Sequence, residues 1–194
     1  MVGLGNPGLE YLWTPHNAGF MAIDRIAEQE GVVAQNRRCK AVTATWRLAG
    51  REVVLAKPET FMNLSGLALG ALVREFEIDS ARDLLVIYDE LDLAWTSVRI
   101  KPKGSAAGHK GMLSVIGGLR TNEFVRVRLG IHPDHPIGDG AEFVLAPFRR
   151  SQIKELDELT GYAADAVRSI IAEGVEKAMT RFNRRAPGLQ TEDA

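Results

Sequence analysis

The stretch LLVIYDE, residues 84–90, decides the fold. Five apolar or aromatic residues in a row are followed by Asp89 and Glu90. A continuous apolar run that ends in acids is typical of a central strand buried on both faces of an α/β sheet. Because the carboxyl ends of such strands face the active-site cleft, Asp89 is the first candidate for a functional residue.

The segments on either side of this strand alternate between strand and helix patterns. Period-two alternation and short apolar runs predict strands, and apolar residues at helical spacing predict helices. Strands are predicted at 1–5, 97–102 and 124–131 and as a hairpin over 41–58, and helices at 19–30, 63–78, 108–119, 151–173 and 174–185. We therefore expect one catalytic α/β domain over residues 1–185, followed by a loose tail over 186–194.

The stretch GLGNPG, residues 3–8, has the G-x-G-x-x-G spacing of a dinucleotide-binding loop. That function requires a full strand before the first glycine and a helix that opens near the third. Only two residues precede Gly3, and Pro15 disfavours a helix directly after Gly8. The dipeptides Asn-Pro and Pro-Gly are strong turn signals. The sequence therefore favours a turn at the end of a strand over an oxidoreductase fingerprint.

The composition is that of an ordinary globular protein. Of the 194 residues, 45% are hydrophobic and 25% are charged, and no apolar stretch approaches the ~18 residues of a membrane span. The single cysteine, Cys39, excludes an internal disulfide, and the chain shows no signal-peptide pattern, so we expect a cytoplasmic protein. The four histidines do not suggest a metal site, since His132 and His135 lie in a proline-rich turn.

Charge is unevenly distributed although the net charge is only −1. Between residues 99 and 128 a single acid, Glu123, stands against seven basic residues: Arg99, Lys101, Lys103, Lys110, Arg120, Arg126 and Arg128. A local basic field suits a partner that carries phosphates. A solvated basic surface without a partner explains the composition equally well.

Polar residues gather where strands are expected to end and helices to begin. His16 precedes the first predicted helix, Asn63 opens the second, and His109 follows a glycine-rich basic loop. Taken singly, His16 or Asn63 could cap a helix, and Asp89 could bind loop amides. Taken together with Asn6, they predict one cleft in which a carboxylate orients a neutral imidazole as a general base.

Six motifs resemble those of the bacterial peptidyl-tRNA hydrolase family. They are VGLGNPGLEYLWTPHNAG, KPETFMNLSG, YDELDL, GHKG, RVRLGI and AMTRFN, and they occur in order from Val2 to about Asn183. The resemblance implies a single domain with a twisted mixed β-sheet flanked by helices. It also implies an enzyme that hydrolyses the ester between a peptide and the 3′-terminal ribose of tRNA, and so recycles tRNA after translation aborts. No cofactor is implied, and a monomer is expected.

The resemblance also implies roles for individual residues. His16 matches the catalytic histidine, and Asp89 matches the acid that holds it in its basic tautomer. Asn6 and Asn63 match two asparagines that line the peptide and ester pocket. Further matches or candidates for contacts with the peptide, the 3′-CCA end or the acceptor stem are Tyr11, Phe61, Met62, Lys101, Lys103, His109, Lys110 and Arg128. Arg126, on the same strand face as Arg128, is a further candidate for a phosphate contact.

One position departs from the family pattern. Many members have GHNG where this chain has GHKG, so Lys110 replaces an asparagine. Lysine lacks the amide acceptor but adds a charge near the tRNA terminus. A relative that binds RNA without hydrolysing it remains an alternative, because such relatives can keep the same residues.

Overall fold

The predicted central strand lies inside a seven-stranded sheet in the computed structural model, which describes residues 1–183. Its strand order is β2-β3-β4-β1-β5-β7-β6. The strands are β1 (Val2–Gly3), β2 (Asn36–Arg38), β3 (Ala41–Leu48), β4 (Arg51–Pro58), β5 (Leu85–Ala94), β6 (Val98–Lys101) and β7 (Val125–His132). The run at 84–90 supplies most of β5, whose first six residues are all buried.

The sheet is mixed, with parallel strands inside and antiparallel strands at both edges. β4, β1, β5 and β7 pair in parallel, whereas β2 and β3 on one side and β6 on the other pair antiparallel to their neighbours. The predicted hairpin forms β3 and β4 and turns at Ala49 and Gly50, both with positive φ. Such turns match the right-handed twist of the strands. The carboxyl ends of β1 and β5 therefore lie at the same edge of the sheet.

Helices cover both faces of the sheet. They are α1 (Ala18–Gln29), α2 (Ser65–Glu75), α3 (Ser80–Asp83), α4 (Lys110–Leu119), α5 (Gly140–Leu145), α6 (Ile153–Glu173) and α7 (Val175–Phe182). One core cluster joins α1, α6 and α7 to β5 and β7, and a second joins α2 and α4 to β1 and β5. Single 3-10 turns precede α1 at Pro15–Asn17 and α2 at Met62–Leu64.

The glycines of the first motif allow close contact between β1 and α1. A Cβ atom added at Gly3 would meet the carbonyl of Gly19, and one added at Gly19 would meet the backbone of Leu4 and the carbonyl of Ile87. Gly8 adopts φ 123° in the turn that follows β1. The next regular element is a 3-10 turn at Leu9–Tyr11, and no α-helix begins before Ala18. The motif is thus a turn and a packing contact and lacks the helix that a dinucleotide site requires.

Most predicted elements are confirmed, with differences in detail. The helix predicted at 63–78 is shorter, because α2 spans only Ser65–Glu75. The short elements β2, α3 and α5 were not predicted from the sequence. The predicted tail at 186–194 lies outside the described residues. No helix among residues 1–183 is long and apolar enough to cross a membrane.

Gly19→Ala should lower the free energy of unfolding by about 1–3 kcal/mol, because the new methyl group would meet backbone atoms of Leu4 and Ile87 that cannot move aside. The matched control is Gly161→Ala in α6, where the Cβ would meet only the end of the Arg25 side chain, 3.9 Å away. The control should gain about 0.5–1 kcal/mol from helix propensity. Urea denaturation measures both, and equal effects would contradict the packing role of Gly19.

Candidate active site

The predicted polar residues meet at the edge of the sheet where β1 and β5 end. Asn6 lies in the turn after β1, His16 in the 3-10 turn before α1, and Asp89 near the end of the regularly paired first half of β5, which a register shift follows. Asn63 lies in the 3-10 turn before α2, and His109 is the residue before α4. All five line one cavity of about 500 Å³. The arrangement follows from topology, because the carboxyl ends of parallel strands and the amino ends of the following helices share one edge.

His16 is held by the buried carboxylate of Asp89. Its Nδ1 lies 3.1 Å from Oδ1 and 3.0 Å from Oδ2 of Asp89, and both side chains are almost inaccessible to solvent. An ionised carboxylate only accepts hydrogen bonds, so Nδ1 carries the proton and Nε2 is left with a free lone pair. Within residues 1–183 Nε2 has no hydrogen-bond partner. In its neutral form His16 therefore has its basic nitrogen, Nε2, available beside the cavity.

His109 donates to the same carboxylate. Its Nε2 lies 2.9 Å from Oδ1 of Asp89, and its Nδ1 accepts a hydrogen bond of 3.1 Å from the backbone N–H of Met112. These two bonds fix the tautomer, with the proton on Nε2. The rings of His16 and His109 are 4.9 Å apart, and the ring of Tyr88 packs edge-on against His109. Asp89 thus joins two histidines from opposite faces of the sheet.

The electrostatics of Asp89 reflect this pairing. Burial alone would raise the pKa of the Asp89 carboxyl, because a low dielectric disfavours the charged form. Hydrogen bonds from His109 and His16, and the positive charge that either one carries when it is protonated, act in the opposite direction and lower its pKa well below the ordinary value of 3.8. The Asp89 carboxyl therefore remains ionised at neutral pH and accepts hydrogen bonds from both imidazoles.

Asn6 is fixed by contacts that leave one polar atom for a ligand. Its backbone N–H donates to Oδ1 of Asn17 at 2.8 Å, and its backbone carbonyl accepts from Nδ2 of Asn17 at 3.0 Å. Its side-chain Oδ1 accepts from the N–H of Met62 at 2.8 Å. Nδ2 of Asn6 is left as a donor beside the cavity. This role of Asn17 was not predicted from the sequence.

The residues predicted to contact the substrate at the mouth of the cavity differ in their exposure. Met62 is buried beneath the cavity wall, whereas Phe61 is 54% exposed at its edge. Asn63 is also exposed, and its amide has no hydrogen-bond partner among residues 1–183. It is therefore free to bind a ligand and is not used as a helix cap. Tyr11, in contrast, is partly buried and does not line the cavity.

The predicted basic residues fall into three environments. Lys110 opens α4, lines the cavity mouth and forms no ion pair within the described residues. Lys101 and Lys103 are exposed outside the cavity, and Lys103 has only a loose pair of 3.4 Å with Glu123. Arg128 is bound to Glu90 through Nε at 2.9 Å and Nη2 at 2.6 Å, and only 12% of its side chain is exposed. Any phosphate at Arg128 must therefore share it with Glu90.

Arg126 corrects the interpretation of the basic region. It is 1% exposed, its guanidinium donates to the backbone carbonyls of Ser105 and Asn122, and it packs on the ring of Phe124. Side chains alternate along β7, so Arg126 lies on the same face of the strand as Arg128. The glycine-rich loop, however, covers Arg126. Arg126 therefore anchors that loop and does not present its charge to a phosphate.

A second part of the cavity was not predicted. Leu91 and the helix α5, with Val144 and Leu145, add apolar side chains to the lining, and Asp92 adds an exposed carboxylate. The available signal was Asp139, which accepts from the N–H groups of Ala141 and Glu142 as a helix cap. A six-residue helix is too short to show a periodic pattern, which explains why it was missed.

The histidine pair and Asp89 also bring one potential metal-ligand atom each to within 4.8 Å of one another. Each of these atoms takes part in the hydrogen bonds described above, so the cluster is fully accounted for without an ion. His132 and His135 lie away from the cavity, each with Nδ1 near the backbone carbonyl of the next residue.

Comparison with known proteins agrees with this geometry. The family model for peptidyl-tRNA hydrolase matches residues 1–190. A peptidyl-tRNA hydrolase of Solibacter usitatus (strain Ellin6076) is 61% identical over 194 residues, which is 100% of this chain and 98% of that protein. One of Koribacter versatilis (strain Ellin345) is 52% identical over 185 residues, or 95% of this chain and 92% of that protein.

Solved structures are similar over the same length. The crystal structure of peptidyl-tRNA hydrolase from Acinetobacter baumannii has a TM-score of 0.87 and 30% identity. The match covers 96% of this chain and 94% of the Acinetobacter baumannii chain. A peptidyl-tRNA hydrolase in complex with N-propanol has the same TM-score and coverage at 29% identity. The mixed α/β fold expected from the sequence is confirmed.

The low pKa of Asp89 predicts how stability depends on pH. A carboxyl whose pKa is lower in the folded than in the unfolded protein stabilises the fold above its unfolded pKa, and this contribution is lost as the pH falls towards the folded pKa. Wild type should therefore exceed Asp89→Asn in unfolding free energy by more at pH 5 than at pH 3. Denaturant titrations of both proteins at each pH measure this. A constant difference would mean that Asp89 titrates normally.

Proposed function

The chain belongs to the peptidyl-tRNA hydrolase family, and we propose that His16 is the general base with which it hydrolyses the ester between peptide and tRNA. The observation that carries the proposal is the buried bond from Nδ1 of His16 to Asp89, which leaves Nε2 unprotonated beside the cavity. A base of this kind needs only a water molecule and a reactive ester.

The reaction requires one proton to move twice. Nε2 of His16 takes a proton from water while the water oxygen attacks the ester carbonyl carbon. The bond to the ribose oxygen then breaks, and that oxygen takes the proton from the His16 imidazolium. The peptide leaves with a free carboxyl group and the tRNA with a free hydroxyl. Asp89 stabilises the imidazolium between the two steps, and general-base catalysis of this kind is worth ~10²–10⁴-fold.

The two asparagines supply neutral hydrogen bonds. Oδ1 of Asn6 is already occupied by the N–H of Met62, so Nδ2 of Asn6 is a fixed donor for a carbonyl oxygen of the substrate. Asn63 is free to donate to the attacking water or to the oxygen that becomes negative in the transition state. Donors that are oriented before the reaction stabilise such an oxyanion without reorganisation.

The charges of the cavity also favour a blocked peptide over a free amino acid. Asp89 is occupied by two histidines and Glu90 by Arg128, so neither is available to a free α-ammonium near Asn6. Asp92 is the remaining acid of the lining, and it is exposed to water. An α-ammonium would lose hydration without gaining a buried partner, which is costly. This supports a preference for peptidyl-tRNA over aminoacyl-tRNA.

The tRNA is held through its backbone in this proposal. Lys110 at the cavity mouth is suited to the phosphates of the 3′-CCA end, and Lys101 and Lys103 to those of the acceptor stem, with Arg128 as a shared contact. Contacts of this kind carry little sequence information, as an enzyme for all tRNAs requires. We further propose that the chain acts as a monomer in the cytoplasm, where aborted translation releases its substrate.

The alternative is a relative that binds structured RNA without cleaving it. It would need no free base, whereas Nε2 of His16 has no hydrogen-bond partner among residues 1–183 and Asp89 is fully engaged in orienting the histidines. The free amide of Asn63 beside it is a second feature that RNA binding alone would not require. Both observations favour hydrolysis.

The test of the base is the release of N-acetyl-amino acid from N-acetyl-aminoacyl-tRNA. His16→Ala should lower kcat by about 10²–10⁴-fold, because no other group replaces the base. Unblocked aminoacyl-tRNA is the substrate control and should be cleaved poorly by wild type, and His135→Ala is the variant control. A His16→Ala protein with wild-type activity would refute the proposed base. A wild type that binds tRNA without releasing product would indicate the RNA-binding alternative.

The test of the phosphate contacts is a salt titration of KM. Lys101→Met should raise KM at low salt, with kcat little changed. The slope of log KM against log salt concentration should become shallower by about one, because tRNA binding then releases about one counterion fewer. Lys154→Met is the matched control, because Lys154 is 89% exposed and far from the cavity lining. If KM of the wild type stayed constant across the titration, tRNA would not be held by its phosphates.

A further inference from the structure

Asp89 does not serve His16 alone, because it accepts hydrogen bonds from two histidines that come from different helix starts. We propose that His109 is a positioning residue: by donating to Asp89 it fixes that carboxylate for His16 and competes with His16 for its negative charge. This inference rests on the proposed role of His16 as the base. It assigns His109 a function beyond the contact with substrate that the sequence suggests.

The geometry leaves His109 little freedom to do anything else. Only 7% of its side chain is exposed, and both ring nitrogens are used, Nδ1 by the N–H of Met112 and Nε2 by Asp89. The ring is also held by the edge-on contact with Tyr88 at 4.9 Å. A substrate group could bind a nitrogen of His109 only by breaking one of these bonds.

The loop before His109 is anchored as well. The buried Arg126 binds the carbonyl of Ser105, and Ala106 O accepts from the N–H of His109 at 2.9 Å. A Cβ at Gly111 would meet Met62 and the His109 ring, so the start of α4 lies tightly against the cavity wall. The position of His109, and through it that of Asp89, is therefore determined by the fold rather than by a ligand.

Sharing the carboxylate changes how firmly His16 holds a proton. A carboxylate that accepts from two donors stabilises the positive form of either one less than it would if it served that one alone. Without His109, Asp89 would act fully on His16 and the imidazolium would keep its proton more firmly. The shared arrangement therefore helps His16 to return the proton to the ribose oxygen.

The other charged groups near the pair do not supply this effect. Glu90 is neutralised by Arg128 at 2.6 Å, and Tyr88 is kept uncharged because burial raises its pKa. Lys110 and Asp92 are exposed at the cavity edge, where water screens them. His109 is the group that contacts Asp89 directly, and the variants below leave all of these others in place.

Two substitutions separate the two nitrogens of His109. In His109→Asn, the side-chain oxygen replaces Nδ1 as the acceptor for the N–H of Met112, but the side chain is too short to reach Asp89. In His109→Gln, the side-chain nitrogen replaces Nε2 as the donor to Asp89, while the cap on α4 is lost. His135→Asn is the matched control for a histidine that lies outside the cavity.

The measurement is the pH profile of kcat/KM for N-acetyl-aminoacyl-tRNA hydrolysis, with the thermal midpoint of each variant as a check on folding. His109→Asn should move the acid limb to higher pH by about half a unit to one unit, within the spread that environments produce for histidine. His109→Gln should leave the acid limb where wild type has it, even if α4 loses stability. His135→Asn should change neither.

Two results would overturn the inference. If His109→Asn kept the wild-type acid limb while His109→Gln lost activity and stability, His109 would only cap α4. If both variants raised KM and left the acid limb unchanged, His109 would only contact substrate. His16→Ala, measured alongside, keeps the two proposals apart. A fully active His16→Ala protein refutes the base itself, whereas an inactive one with unshifted His109 variants refutes only the role of His109.

Discussion

The buried carboxylate of Asp89 is the interaction on which the site depends. An unpaired ionised carboxylate in a protein interior is strongly unfavourable, so the fold must bring it partners. It brings two imidazole N–H groups, one from the turn before α1 and one from the start of α4. Because α1 and α4 belong to the two opposite helical layers, this single carboxylate joins both layers at the edge of the sheet. The geometry of the proposed active site and the correct assembly of the layers thus depend on the same contacts.

Glycines make that convergence sterically possible. Gly3 and Gly19 let α1 approach β1 and β5, which brings His16 to Asp89, and Gly111 lets the start of α4 approach Met62 and brings His109 to the same point. The G-x-G-x-x-G spacing at the start of the chain therefore arises from helix–sheet contact and a turn. A motif defined by glycine spacing alone does not distinguish these uses, because phosphate binding and close packing both require a backbone without side chains.

The sequence predicted what depends on local pattern and on the direction of strands. Asp89 followed from its place at the end of an apolar run, and His16 and Asn63 from theirs before predicted helices, so the cleft could be assembled in advance. The features that the sequence did not predict depend on contacts between residues that are distant in the chain or on the path of a loop. The pairing of Arg128 with Glu90 spans 38 positions, and the burial of Arg126 depends on the path of a loop. The two hydrogen bonds between the Asn17 side chain and the backbone of Asn6 depend on the shape of the turn, which a periodic sequence pattern does not reveal.

Many family members have asparagine at the position of Lys110. The effect of this substitution on the site follows from the hydrogen bonds that join Asp89 to the two histidines. The bonds that join Met112, His109, Asp89 and His16 are complete in this chain, and residue 110 takes no part in them. The substitution therefore falls on the rim of the cavity and leaves the orientation of His16, the proposed base, intact. At the rim it adds a cation that no carboxylate among residues 1–183 neutralises, whereas the neighbouring Arg128 is held by Glu90. Positive charge thus lies at the mouth, where the tRNA phosphates are proposed to bind. The interior holds two imidazoles paired with one buried carboxylate, which suits a neutral ester.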